Sequence, residues 1–478
     1  MTSCQALERF PDRAVDAQTT LTRPGRAVAV ASVLGAMVLV VLNTVIANVA
    51  LPTIGQSLSL PPAMSVWIIV SYQAALLMTL LPCAALGESL GYRRVFMWGV
   101  ALFTGSSILC ALSTSLDWLI AARFLQGLGG AAVMALGIAL LRAVVAPRQF
   151  GAAIGWNALA VALSSAVGPT IGAAILAVAN WPWLFAVNLP IGLLVLLAAR
   201  ALPDVSGTGR PLDGLSVLLN AAVFAAVIAG VKLLPATGTM GVALVLLAAV
   251  AMWLLVRREM PKTAPLIPLD LLSDEFYRMS VIASAVFFAG VTTGMVALPF
   301  YLQQGLGQDA WVTGLYMTPW PLTVAIAAPF AGHLAGRLST ARLCAVGGCC
   351  LATGLGASAL WPLEGNPLPL IPLTVLCGLG FGVFNVANNR NMFLSSPTER
   401  SGAAGGMQAT ARLLGQTAGA VMMALLFSQV PVDTAPRIGL GIGAILTLMA
   451  GLASRLVGCM PTTVPDSGSP EREWTDPR

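Results

Sequence analysis

The sequence predicts an all-α polytopic membrane protein with about fourteen transmembrane helices, on three observations. Of its 478 residues 57% are hydrophobic and only 9% charged, against about 25% charged in an ordinary soluble domain. So few charges cannot coat a water-exposed surface. The apolar residues also gather in runs of roughly 18 to 29, and about 20 suffice to cross the hydrocarbon core as a helix. Finally, lysine and arginine fall almost wholly in alternate connections between those runs.

The runs can be marked in order. Six lie near Ala27–Leu51, Met64–Leu86, Val95–Ser115, Trp118–Leu141, Gly151–Ala179 and Trp183–Ala201. Two follow near Leu215–Leu234 and Thr239–Val256, and six more near Arg278–Gln303, Val312–Ala335, Leu343–Trp361, Leu368–Leu394, Ala403–Phe427 and Ile438–Val457. The 48 glycines and 31 prolines suit membrane helices, where neighbours satisfy interrupted backbone.

Charge sets the orientation. All but four of the 25 basic residues lie in the tails or near even-numbered connections. Odd-numbered connections carry only Lys232 and Arg437, while Arg123 and Arg412 lie inside spans. Both termini are therefore expected on the cytoplasmic side. The expected organisation is a cytoplasmic tail over 1–26, a six-helix half over 27–201, two inserted helices over 202–277, a second six-helix half over 278–458 and a cytoplasmic tail over 459–478. The two halves echo each other: ALGESLGYRR (85–94) and AGHLAGRLSTAR (331–342) are both short, glycine-bearing and basic. Such repeats place a substrate site near the midplane between the halves.

Other classes find no support. No basic stripe with interleaved aromatics suggests nucleic acid. The eight cysteines form no CxxC pair and His333 is the single histidine, so no metal site or disulfide framework is expected. No nucleotide-binding loop or nucleophile triad appears, and no cofactor is implied. Energy for transport must then come from an ion or substrate gradient.

Several motifs resemble the major facilitator superfamily, in its fourteen-helix drug:proton antiporter branch (EmrB/QacA type). LNTVIANVALP (42–52) is similar to that branch's helix 1 motif L-D-x-T-I-V-N-V-A-L-P, and GESLGYRR (87–94) to the superfamily loop G-x-L-A-D-R-x-G-R-R, with Glu88 standing for aspartate. RFLQGLGGA (123–131) matches R-x-x-Q-G-x-G-x-A. SSAVGPTIGA (164–173) resembles the antiporter signature G-x-x-x-G-P-x-x-G-G, with Ser164 and Ala173 replacing glycines. WPWLFAVNLPIG (181–192), LPFYLQQGLGQ (298–308) and GFGVFNVANNR (380–390) resemble further branch segments. The resemblance covers about residues 27–457. It implies the major facilitator fold, in a bacterial inner membrane. It also implies export of amphipathic organic compounds, with protons as the coupling ion and any adaptor or outer-membrane partner unspecified. An uptake or facilitative transporter of the same fold stays open; a channel or membrane enzyme lacks the polar rings or buried carboxylates it would need.

The residues give these motifs physical meaning. Arginine inside a span is costly without a partner or water, which makes Arg123 a candidate for holding helix 1 or a substrate. Asn43, Thr44, Asn48, Gln126, Asn385, Asn388 and Asn389 are expected to face the bundle interior, as cavity lining or interhelical glue. Glu88, Arg93 and Arg94 form a candidate gating loop that pairs across the halves or sets topology. Ser164, Gly168 and Gly172 recur every four residues and permit a close helix approach. Pro169 removes a backbone donor beside them, giving a candidate hinge or seal. All nineteen acidic residues fall in tails, connections or span ends, and Asn43 stands where the branch has aspartate. Without a mid-span carboxylate, neutral or anionic cargo is expected over lipophilic cations, with any proton coupling resting on Glu88 or on a titrating substrate.

The topology is checked by cysteine labelling from the outside in intact cells. Segments 203–213 and 257–277 are expected to stay unlabelled, and positions near Gly307 or Pro431 to react; the reverse pattern would sink the orientation.

Overall fold

The computed structural model describes residues 23–204, 207–209, 213–234, 236–262, 269–362, 367–396 and 401–457. Among these, thirteen helices are long and apolar enough to cross a membrane. We number the spanning helices in chain order. They are α1 Pro24–Ser57, α2 Pro62–Leu90, α3 Tyr92–Ala111, α4 Leu116–Val144, α5 Arg148–Val178, α6 Trp183–Ala201, α7 Gly214–Leu233, α8 Gly238–Glu259 and α9 Glu275–Gly305. After α10 come α11 Thr340–Leu360, α12 Leu370–Leu394, α13 Ala403–Gln429 and α14 Ala435–Arg455.

The fourteenth, α10, is interrupted at Thr318 by a missing backbone hydrogen bond. It runs as Ala310–Met317 and, after Thr318, as Pro319–Ala335, where the sequence reads as one span. Pro319 has no N–H to donate back to the preceding turn, and its ring crowds the carbonyl four residues earlier.

The packing is two-fold. α1 packs on α4, α5 and α6, as α9 packs on α12, α13 and α14. α4 packs on α2 and α3, as α12 packs on α10 and α11. The repeat extends to single residues. Gly127-Leu128-Gly129 in α4 corresponds to Gly378-Leu379-Gly380 in α12. A Cβ on Gly127 would lie 2.4 Å from the Tyr72 carbonyl oxygen, and one on Gly378 2.2 Å from that of Trp320. GAAIGWNALAVALSSAVG (151–168) in α5 corresponds in the same register to GAAGGMQATARLLGQTAG (402–419) in α13. Glycine here lets backbones approach where lipid gives helices no hydrophobic reason to associate.

The halves meet along two seams, α2 against α13 and α5 against α10, with α1 also touching α9. Toward the end opposite the termini one apolar core runs through both halves, joining Val49, Leu51 and Ile54 of α1 to Leu298, Phe300 and Leu302 of α9. Toward the terminal end the first half has a separate core, which includes Val33, Leu80 and Leu140 and takes in only Leu413 among buried residues of the second half. The inserted pair α7–α8 packs as a hairpin, with α7 leaning on α2 through a hydrogen bond from Asn220 Nδ2 to the Met78 carbonyl at 2.8 Å.

The α5–α10 seam is tight enough to test. A Cβ at Gly314 would stand 2.3 Å from Ala173 Cβ and 2.7 Å from the Pro169 carbonyl oxygen. Overpacking of this kind costs about 1–3 kcal/mol. Gly314→Val is expected to lower the melting temperature of the detergent-extracted protein by several degrees. Gly332→Val, at an open position, is the control; equal melting of the two variants would contradict the packing.

Candidate functional site

Arg123 stands on α4 one turn before Gln126, and both are buried, at 1% and 0% exposure. The Arg123 guanidinium donates from Nη1 to Gln126 Oε1 and from Nε to the Ile68 carbonyl of α2 at 3.3 Å. Its carbon lies 4.4 Å from the centre of the Tyr72 ring and 5.5 Å from that of Phe185, so two aromatic faces help solvate the charge. Gln126 Nε2 donates to Ser107 Oγ of α3 at 2.7 Å. Asn43 Nδ2 of α1 donates to Gln126 Oε1 at 3.2 Å, and Asn188 Nδ2 of α6 donates to Asn43 Oδ1 at 3.0 Å. One arginine and four polar side chains thus tie α1, α2, α3, α4 and α6 together. Arg123 is expected from sequence to hold helix 1 or a substrate; it reaches α1 through Gln126 and has no face open to a cavity here. Asn43 is likewise buried in the first half.

The other expected interior residues divide. Thr44 donates back to the Val40 carbonyl at 2.9 Å, and Asn48 is half-buried with its Oδ1 unpartnered among the described residues. Asn388 is buried and donates to the Ser280 carbonyl of α9 at 3.1 Å. Asn385 and Asn389 are half-buried and point along another face of α12. Asn389 Nδ2 donates to Asn385 Oδ1 at 3.3 Å, and Gln408 Nε2 of α13 donates to Asn389 Oδ1 at 3.0 Å.

The antiporter-like segment serves two contacts. A Cβ at Gly168 would lie 2.7 Å from Val45 Cγ1, and one at Gly172 3.4 Å from Ile46, so these glycines seat α1 within their own half. Ser164 Oγ donates back to the Ala160 carbonyl at 2.7 Å. The residues between make the seam: Pro169 and Ala173 press on Gly314, and the Thr170 and Thr318 hydroxyls meet at 2.6 Å. Thr318 keeps helical dihedrals (φ −61°, ψ −38°) and lies just before Pro319, so the seam falls where α10 lacks one backbone hydrogen bond.

The α2–α3 loop is held by the linker that leads to α7. Arg93 Nη2 donates to the Arg200 carbonyl at 3.0 Å, and Arg94 lies 4.0 Å from the Asp204 carboxylate. Thr208 donates to the Glu88 carbonyl from its N–H at 2.8 Å and from its hydroxyl at 3.1 Å. The Glu88 side chain is exposed. None of these contacts crosses to the second half.

One charged group was not singled out as a site from the sequence. Asp213 caps α7 and accepts both Arg258 Nε and Nη2 at 2.9 Å. Lys262 bridges Asp213 and the buried Glu259, which accepts from Ser216 Oγ at 2.6 Å. Arg258 and Lys262 hold the Asp213 carboxyl well below the usual carboxylate range by favouring its charged form. In sequence Asp213 lies 45 positions from Arg258 and 49 from Lys262, and only the α7–α8 hairpin brings them together.

The two-fold packing of two six-helix halves along glycine-mediated seams, with helices apolar enough to span a membrane, is that of a membrane transporter. The chain belongs to the Major Facilitator Superfamily, whose profile it matches over residues 33–420. It is 40% identical to "Uncharacterized transporter YebQ" of Escherichia coli (strain K12), over 91% of this chain and 96% of that protein. It is 32% identical to "Multidrug resistance protein Stp" of Mycobacterium tuberculosis, over 80% of this chain and 72% of that one. A solved structure of the peptide transporter POT shares the fold with a TM-score of 0.68 at 19% identity, covering 90% of this chain and 94% of its own.

The buried arginine predicts a stability phenotype. Removing one partner of a buried, hydrogen-bonded charged network leaves the others unpaired, at about 1–3 kcal/mol for each orphaned group. Arg123→Ala is expected to lower both the melting temperature and the yield of folded protein. Arg123→Lys is expected to rescue poorly, because an ammonium cannot lie flat on Tyr72 while donating in two directions. Wild-type melting of the alanine variant would show that the network carries no stability.

Proposed function

We propose that this transporter exports amphipathic organic compounds across a bacterial inner membrane by alternating access, with both termini cytoplasmic and protons as the driving ion. Residues 27–201 and 278–458 are the moving halves in this reading. The observation that carries it is the asymmetry between the two ends of the bundle. The halves are joined in one apolar core through residues away from the termini, whereas beside the termini the first half keeps a core of its own and the second half a small separate one around Tyr277 and Met392. With basic residues marking the terminal end as cytoplasmic, this arrangement fits an inward-facing state that loads cargo from the cytoplasm.

Further support comes from where the antiporter-like segment sits. Pro169, Thr170 and Ala173 touch α10 at the seam, where opening requires the two halves to part. A seam of small side chains and one hydroxyl pair can separate without stripping a charge of its partner. The multidrug-resistance relative agrees with export of drug-like cargo. In the α2–α3 loop, Arg93 and Arg94 engage the linker on their own side, which leaves the cytoplasmic faces free to part in this state. Proton coupling is assigned to Glu88 or to a titrating cargo, since Asn43 supplies no carboxylate.

The test is a toxicity panel in cells with and without the protein, followed by cargo accumulation in everted vesicles with an imposed proton gradient. Export predicts raised tolerance to a subset of amphipaths and gradient-driven accumulation in the vesicles. Accumulation of the same compounds by intact cells would establish uptake instead. Wild-type coupling in Glu88→Gln would remove the carboxylate route.

A further inference from the structure

The second arginine inside a span, Arg412, is placed quite differently from Arg123. It stands on α13 about 14 Å along the helix from Ala403 at 1.5 Å per residue, close to the middle of a core roughly 30 Å thick. The half-buried Gln408 and Gln416 lie one turn to either side on the same face.

That face points into the bundle. Leu414, two residues on and so about 200° round the helix, is 44% exposed and marks the lipid side. On one flank of Arg412, Leu413 joins the first half's core beside α2. On the other, Gly415 and Gly419 press on the Ala285 and Ala289 carbonyls of α9. The face of α13 that carries Arg412 is therefore flanked by α2 on one side and α9 on the other, one helix from each half.

It has no evident structural partner. None of the ion pairs among the described residues includes it, and its Nε is buried without a hydrogen-bond acceptor. The fold does not require a cation there either. In the α5–α13 register Arg412 corresponds to Val161, whereas Gln408 corresponds to Asn157 and Gly419 to Gly168. One half places an apolar side chain where the other places an unpaired charge.

We propose that Arg412, flanked by Gln408 and Gln416, is the anion-binding subsite of the transport pathway, and that the cargo carries a sulfonate, carboxylate or phosphate on an apolar frame. This rests on the reading of the protein as an exporter of amphipaths and narrows its substrate class. The acidic group accepts charge-assisted hydrogen bonds from the guanidinium, the two glutamine amides add neutral donors, and the apolar frame lies along the α2 side. Arg123 plays no part in recognition, because it is 1% exposed and buried inside the first half's own polar network.

The test uses 1-anilinonaphthalene-8-sulfonate and N-phenyl-1-naphthylamine, the same aromatic frame with and without the anionic group. Equilibrium binding to the purified full-length protein and transport in proteoliposomes are measured for wild type, Arg412→Gln and Arg412→Lys. The sulfonate is expected to bind wild type with an affinity about tenfold weakened in Arg412→Gln and intermediate in Arg412→Lys, one charge-assisted hydrogen bond accounting for a change of that order. The neutral compound is expected to be unaffected. Equal sulfonate binding by wild type and Arg412→Gln, no sulfonate binding by wild type, or equal weakening of both compounds would overturn the subsite. Arg412-dependent sulfonate binding without transport of either compound would support the subsite and count against the export reading.

Discussion

A guanidinium in hydrocarbon must be solvated by the protein itself, and the first half of this transporter is organised around that requirement. Arg123 cannot shed its charge to escape that cost, since arginine stays protonated. Its surroundings supply a side-chain amide, a backbone carbonyl and two aromatic faces. Each partner comes from a different helix or is fixed by another polar group, so satisfying one charge positions α1, α2, α3, α4 and α6. A half built in this way should move as a unit, because sliding any one helix would strand a polar group in a medium with no water to replace its partner.

The second half repeats the scaffold without that chemistry. In the glycine register, Gln126 corresponds to Cys377 and Arg123 to Thr374. Where the first half is held by hydrogen bonds, the second packs Phe287 of α9 on Phe384 of α12, with ring centres 3.7 Å apart. The backbone repeat survives because helix contact distances demand glycine at fixed positions. Polar residues are free to differ, and the two arginines inside spans, Arg123 and Arg412, fall at unrelated positions of the repeat.

The seams follow a third logic. They must close without becoming permanent. Gly314 against Pro169 and Ala173 brings backbones together over a small area, and Thr170 with Thr318 adds one neutral hydrogen bond. Charge pairs are kept away from this seam. The Asp213–Arg258–Lys262–Glu259 group locks the inserted hairpin at its own end, and Arg94 with Asp204 lies at the linker.

Composition and run length alone determined that this chain is a polytopic helical membrane protein, because a bilayer leaves the backbone almost no other way to satisfy its hydrogen bonds. The motifs over 42–192 and 298–390 made the family legible, and the costs of burying arginine and amides marked Arg123, Gln126 and Asn43 as interior residues. Tertiary structure decided what those residues face. A helix in hydrocarbon is apolar on every side, so periodicity does not separate a lumen face from a packing face, and Arg123 and Arg412 look alike in sequence. Only the packing shows one arginine buried in a polar core of the first half and the other with a buried, unpartnered nitrogen on a face flanked by both halves. The division of the Gly168–Ala173 segment between α1 and α10 and the ion cluster at the α7–α8 hairpin were hidden for the same reason: each depends on which helices become neighbours.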